Sequence, residues 1–333
     1  MASFRANSLY TFLQYMGHIP MRKILDLAGS NLRQDHLVSA FPAPRSTPCP
    51  SVNQTTAGEP RIAAVRARSL CVVSGKGGTG KSVAAASLSR VFSRKGRTLI
   101  FDADLGIGNA HILQGNSPRK TLADVLDGRT SLANAVQTCS EGLDLIAGGS
   151  GVARLATLSS PDLAQIGAEL ANLERDYSYL VADCGAGISE TTLAFARASD
   201  TLLIVTTPDL TAMTDAYAFL KVLGQTRPGS RPLLLINRAL DGPEAAAAAT
   251  RICDVSLRFL QYEPEWIGWV PEDRAVFESV KNREPLIHHA PNSPAAIALG
   301  NVASTIQERV DTQHSRGLGR RLAAGALSAL RMA

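Results

Sequence analysis

The sequence predicts an α/β fold: a mainly parallel, twisted sheet with helices on both faces, set between an N-terminal extension and a C-terminal amphipathic helix. Three observations predict it. From Ser69 onward, short Val- and Leu-rich runs alternate with segments of helical period. The runs are apolar throughout instead of every second residue, as strands covered on both sides are. A glycine-rich loop separates the first run from the first helical segment, the junction expected of a repeated β-α unit.

The elements follow in order. Ser69–Ser74 (SLCVVS) reads as a buried strand. Ser82–Arg94 places Ala85, Leu88, Val91 and Phe92 on one helical face, and Gly96 ends it. Thr98–Phe101 and Leu143–Ile146 are the next strands. Ser160-Pro161-Asp162 is a helix start, with Ser160 as cap, proline in the first turn and an acid behind it. Leu163, Ile166, Leu170 and Leu173 continue that helix's apolar stripe. Tyr179–Ala182, Thr201–Thr206, Leu233–Ile236 and Ile267–Val270 read as further strands with helices between them. There is no internal repeat of fixed period.

Residues 1–68 form the extension. Its stretch Phe41–Pro60 carries five prolines among many Ser and Thr, a composition that cannot build a packed core and reads as a linker. Leu9–Leu27 is expected to form a short helix broken near Gly17 and Pro20. The catalytic domain is expected over 69–314. Over 315–333, Leu318, Leu322, Ala326, Ala329 and Leu330 fall on one side of a basic helix with no acid, the pattern of an interfacial anchor or of a helix packed on its parent domain.

The charge is uneven. The extension carries +5, residues 69–314 carry −4, and residues 315–333 carry +4. Basic ends on a mildly acidic core suit an anionic surface. The lysine-poor, acidic core argues against a nucleic-acid partner, though the tails leave room for one. Cys49, Cys71, Cys139, Cys184 and Cys253 have no CxxC spacing, which points to free thiols and away from a zinc site or a disulfide framework. No apolar run approaches the ~18–20 residues that span a bilayer, and no signal layout opens the chain, so a cytoplasmic location is expected.

The sharpest chemical signal is Gly75-Lys76-Gly77-Gly78-Thr79-Gly80-Lys81-Ser82, which fits GxxxxGK[ST] after a strand and before a helix. Glycines let backbone N–H groups turn around phosphate oxygens, and the helix N-terminus adds positive potential. Lys81 supplies a charge to the outer phosphates, and the Ser82 hydroxyl is a candidate ligand for Mg²⁺. Lys76 is not needed to cradle phosphate. The run KGGTGKS resembles the deviant phosphate loop of the MinD/ParA ATPases.

That resemblance spans most of Ser69–Pro285, and it implies a P-loop ATPase that binds ATP and Mg²⁺ and dimerises around the nucleotide. Lys76 would then reach the other subunit's ATP, in the role of an arginine finger. Asp102 and Asp104 in the DxDxG segment Asp102–Gly106 match the first switch. Asp104 would position the attacking water, and Asp102 would support Mg²⁺ and the loop. Asp183, in Val181–Gly187, matches the carboxylate that holds Mg²⁺ at the second switch. Cys184 beside it reads as a small packed residue. Leu235-Ile236-Asn237-Arg238 and Val270-Pro271-Glu272-Asp273 match the adenine end, which assigns Asn237, Pro271, Glu272 and Asp273 to the base.

Within the family, Asp104–Gly115, Gly148–Leu155, Thr206–Tyr217 and Val83 are most similar to the flagellar-number regulators (FlhG, also called FleN or YlxH). Division-site MinD and DNA-partitioning ParA are the alternatives. The resemblance implies slow, partner-stimulated hydrolysis. It further implies the flagellar GTPase FlhF and flagellar switch or regulatory proteins as partners, and reversible attachment to the inner membrane surface through the C-terminal tail. A DQAxxLR-type segment that would engage FlhF is not present; Asn31-Leu32-Arg33-Gln34-Asp35 is not one.

Overall fold

A computed structural model describes residues 67–104, 108–149, 158–227, 229–311 and 314–332. The helix expected over Leu9–Leu27, the linker over Phe41–Pro60, the switch residues Leu105-Gly106-Ile107 and the segment Ser150–Leu155 lie outside the described residues.

The strands are β1 (Arg68–Ser74), β2 (Thr98–Ala103), β3 (Gln137–Ser140), β4 (Leu143–Ile146), β5 (Tyr179–Ala186), β6 (Thr201–Thr206), β7 (Leu233–Ala239) and β8 (Glu265–Pro271). They form one eight-stranded sheet in the order β3-β4-β2-β5-β1-β6-β7-β8. All neighbours are parallel except β3 and β4. The longer helices are α1 (Lys81–Phe92), α2 (Ser160–Leu173), α3 (Glu190–Ala198), α4 (Leu210–Thr226), α5 (Gly242–Leu260), α6 (Arg274–Lys281), α7 (Pro294–Asp311) and α8 (Leu318–Met332).

Successive residues of a strand point to opposite faces, so the sheet feeds two cores. Cys71 and Val73 of β1 join a core with α2, α3, α4, α5 and α8. Leu70 and Val72 join a second core with α1 and α7. The expected stripe of α1 holds: Ala85, Leu88 and Phe92 are buried and Val91 packs at the edge.

Two differences from the sequence reading have physical causes. β3 was not expected, because QTCS carries little apolar signal; it is an antiparallel edge strand held mainly by its backbone pairing to β4. The cap of α2 is Ser159, one residue before the expected Ser160. Its hydroxyl accepts from Asp162 N, and the Asp162 carboxylate accepts from the Ser159 N–H, a reciprocal capping box. The C-terminal helix, read as an interfacial anchor or as a helix packed on its parent domain, is α8. Its Leu318, Leu322 and Ala326 are buried in the same core as β1, while Ala329 and Leu330 of the predicted stripe remain exposed. Small residues explain the seat. A Cβ on Gly319 would lie 2.4 Å from Ala171 N and 2.6 Å from Gly167 O, and a Cβ on Gly167 would lie 2.5 Å from Ala323 N. Only backbone fits between α2 and α8 there. The Gly319 N–H donates to Glu174 Oε1 at 2.6 Å. Among the described residues no helix is long and apolar enough to cross a membrane.

Candidate functional site

The C-terminal ends of β1, β2, β5, β6, β7 and β8 converge on one edge of the sheet, and the loops that follow them carry the predicted residues. In a parallel sheet this edge is where ligands are received.

The phosphate loop leaves β1 with Gly75 against the backbone of Asp215 and Ala216 in α4. The Ser74 hydroxyl donates to Lys76 O at 2.9 Å, which fixes the first bend. Gly77 and Gly78 face open space. Gly80 has φ +83, and a Cβ there would sit 2.1 Å from Asn237 Nδ2. No side chain caps α1, so its first N–H groups are left for a ligand. Thr79 is buried, and its Oγ1 has no hydrogen-bond partner among the described residues. An uncapped helix, an open glycine turn and an orphaned hydroxyl together fit a bound triphosphate.

Lys81 is 6% exposed and Asp183 1% exposed, and their charged atoms meet at 2.6 Å. Burial alone would lower the Lys81 ammonium, but the charge and hydrogen bond of Asp183 outweigh it and the net shift is upward. Lys81 Nζ also lies 3.2 Å from Ser82 Oγ. The lysine therefore rests on the carboxylate assigned to Mg²⁺. Asp102 stands opposite Asp183 on the neighbouring strand. Burial first, and the Asp183 charge second, push its carboxyl up to about 8. Asp102 accepts from Asp104 N and Ala110 N, each at 3.2 Å, and so ties together both ends of the switch loop. The Asp104 carboxylate lies beside Gly185, 3.6 Å from where a Cβ would be, and its charge reaches Lys81. Ser82, Asp102 and Asp183 thus surround one end of the loop. One hydroxyl and two carboxylates are few ligands by themselves, which suits Mg²⁺, an ion that keeps waters and binds substrate phosphates. Cys184 is fully buried, 3.2 Å from Cys71 Sγ, and burial pushes its thiol well up, as for a packing residue.

Lys76 has a different setting. Its Nζ is exposed and donates to Thr211 Oγ1 of α4 at 2.7 Å. Neither carboxylate of the buried cluster holds it.

At the other end of the loop lies a cavity of about 340 Å³, lined by Gly78, Gly80, Asn237, Arg238, Pro271, Glu272 and Asp273, with Val276 and Phe277 of α6. The expected adenine residues are therefore together, and two of them also brace their surroundings. Asn237 Nδ2 donates to Thr79 O at 2.7 Å, so one of its two N–H groups braces the phosphate loop. The Asp273 carboxylate accepts from Ala275 N at 2.9 Å and Ala295 N at 3.0 Å. Its burial alone would raise its carboxyl, yet those two amides hold it below the usual range. Asp273 lines the cavity and also caps α6 and ties it to α7. Glu272 pairs with Arg238 Nε at 2.7 Å. The sequence reading missed Phe277, 70% exposed at the cavity wall. Its signal was the cluster Val276, Phe277 and Val280 on an otherwise polar helix.

Gly80→Ala is expected to weaken ADP binding by about tenfold or more, since left-handed backbone costs an L-residue roughly 1–2 kcal/mol and the new methyl meets Asn237. Titration calorimetry with ADP checks this, and an unchanged affinity would show that the loop tolerates a side chain.

A family model described as the CobQ/CobB/MinD/ParA nucleotide binding domain matches residues 70–287. The antiactivator FleN of Pseudomonas aeruginosa is 30% identical over 238 residues, covering 71% of this chain and 85% of FleN. The flagellum site-determining protein YlxH of Helicobacter pylori is 31% identical over 245 residues, covering 73% of this chain and 83% of YlxH. The solved structure of the cell division ATPase MinD of Pyrococcus furiosus superposes with a TM-score of 0.61 at 26% identity, covering 73% of this chain and 99% of that one.

Proposed function

Because the chain belongs to the CobQ/CobB/MinD/ParA nucleotide-binding family, we propose that it is an ATP-hydrolysing switch that dimerises on ATP and sets the position or number of flagella. The observation that carries this reading is the division of labour between the two lysines. Lys81 is buried on Asp183, whereas Lys76 stands exposed on the same edge with a neutral partner. A cation in that position serves a second chain better than its own. The loops after β5 and β7 and the first residue of α4 also expose Ile188, Leu240 and Leu210 on this edge, apolar surface suited to a second copy. The relatives FleN and YlxH supply the flagellar context.

In this reading the loop N–H groups and Lys81 bind the ATP phosphates, and Arg238, Phe277 and Asn237 receive the base. Mg²⁺, held by Ser82 and through Asp102 and Asp183, would neutralise phosphate charge when bound. Asp104 orients the attacking water, and Lys76 of each copy meets the charge that develops on the other copy's γ-phosphate. Gly185 and Gly187 let the second switch relax after phosphate leaves. Turnover is slow until a partner, such as FlhF or a flagellar regulatory protein, stimulates it. Attachment to the inner membrane surface by the whole apolar stripe requires α8 to leave its seat, since Leu318, Leu322 and Ala326 are covered.

Asp104→Ala is expected to bind ATP, release little phosphate and accumulate as a dimer. Gel filtration with ATP and Mg²⁺, alongside a phosphate-release assay, checks this. A monomeric variant with ordinary phosphate release would refute the assigned role.

A further inference from the structure

At the pole opposite the phosphate loop, where β6, β7 and β8 begin, lies an open cleft of about 820 Å³. It is bounded by the loop after α4 and by the linker from α7 to α8. Its lining sets Arg227, Arg231, Arg309 and Arg316, with His314 beside them, against Asp200 and Glu265. Both carboxylates are already engaged. Glu265 pairs with Arg309 at 2.5 Å. Asp200 accepts from the Ser69 hydroxyl at 2.8 Å, the Arg316 N–H at 3.2 Å and the Arg321 guanidinium at 2.7 Å.

Arg227 stands behind them. Its guanidinium donates to the carbonyl oxygens of Ala196 at 2.8 Å and Asp200 at 3.4 Å. Burial, followed by the charges of Arg321 and Arg316, holds it below its ordinary value. The side chains of Arg231, Arg316 and His314 are exposed and have no carboxylate partner among the described residues. Guanidinium groups therefore outnumber carboxylates in this concave space, and both carboxylates are paired with other arginines. Such a lining suits an anion.

We propose that this cleft binds a phosphate monoester, with Arg231 and Arg316 as its ligands and Arg227 as the fixed charge at its back. Guanidinium forks match phosphate oxygens in geometry and charge. The same phosphate can belong to a soluble metabolite or to a lipid headgroup. Arg316 lies in the linker that leads into α8, so an occupant gripped by Arg231 and Arg316 ties that linker to the loop after α4. The site is separate from the phosphate loop and does not depend on ATP hydrolysis.

The test is calorimetry on the full chain with ADP saturating the phosphate loop. The probes are glycerol 3-phosphate and dihexanoyl phosphatidate, with glycerol and dihexanoyl phosphatidylcholine as controls. At least one phosphate probe is expected to bind saturably while neither control does. Arg231→Glu with Arg316→Glu, both exposed positions, is expected to weaken it by about tenfold or more with ADP affinity unchanged. Binding of glycerol 3-phosphate identifies a soluble ligand, and binding of phosphatidate alone identifies a headgroup. Absence of binding by either probe, or equal binding by the double variant, overturns the proposal, whatever becomes of the ATPase reading.

Discussion

Lys76→Ala should bind ADP like the unaltered chain yet lose ATP turnover by about a thousandfold or more, the range seen when a charge-stabilising finger is removed from phosphoryl transfer. The fold has little stake in this residue. Its ammonium is exposed and makes one hydrogen bond, to Thr211, and surface contacts of that kind add at most ~1 kcal/mol. The expected loss therefore lies in the chemical step and in assembly. Phosphate release measured against protein concentration reads the first, and gel filtration with ATP reads the second. Thr211→Val is the matched control: it frees the lysine from its own chain without removing it, so turnover should persist. If Lys76→Ala turns over ATP at the ordinary rate, the amine has no part in hydrolysis and the dimeric reading of the site fails.

Gly319→Leu should expel α8. Even a Cβ at this position would overlap Ala171 N and Gly167 O, and an isobutyl group has nowhere to go between two backbones. Undocking exposes Leu318 and Leu322, each worth roughly 1.5–3 kcal/mol of burial. The melting temperature should fall by several degrees, and limited proteolysis should cut first near residue 318. Gly319→Ala should show the same change in smaller measure. Released, the helix presents Leu318, Leu322 and Ala326 with Arg320 and Arg331 nearby, so flotation with anionic vesicles should rise while ADP affinity stays unchanged. An unaltered cleavage pattern would show that the helix holds by other contacts.

The two predictions rest on parts of the molecule that were not equally legible. The phosphate loop was readable because eight consecutive residues, a strand before and a helix after, all carry one instruction. Central strands were readable for a related reason: sheet residues covered on both faces must be apolar at every position, so LCVV or LLIV has little other use. Outside those conditions the signal thins. QTCS is a strand by virtue of its neighbour, Leu143–Ile146, and not of its composition. The tie of Asp273 to Ala295 N was not readable, because the two are remote in sequence. Asn237 looked free for adenine, yet its amide lies against a loop formed from residues far upstream. The stripe of α8 was visible, but whether a lipid or a protein covers it was decided by two glycines, one of them on another helix. Local pattern specifies elements, and long-range hydrogen bonds decide which polar groups stay free.

Helix α3 has one further consequence. Its first turn is pinned to the second switch: the Ser189 hydroxyl accepts from Thr192 N, and the Thr192 hydroxyl donates to Gly185 O. Its last turn runs into Ser199 and Asp200, where Arg321 is anchored. One rod of nine residues, about 13 Å long, thus links the two and packs along α8 on the way. Such a rod cannot absorb a displacement at one end by bending. On the proposed function, a pull on Gly185 as phosphate departs would tilt the far tip and alter the grip on the last helix, as a lever arm translates a catch at one door into a latch at the other.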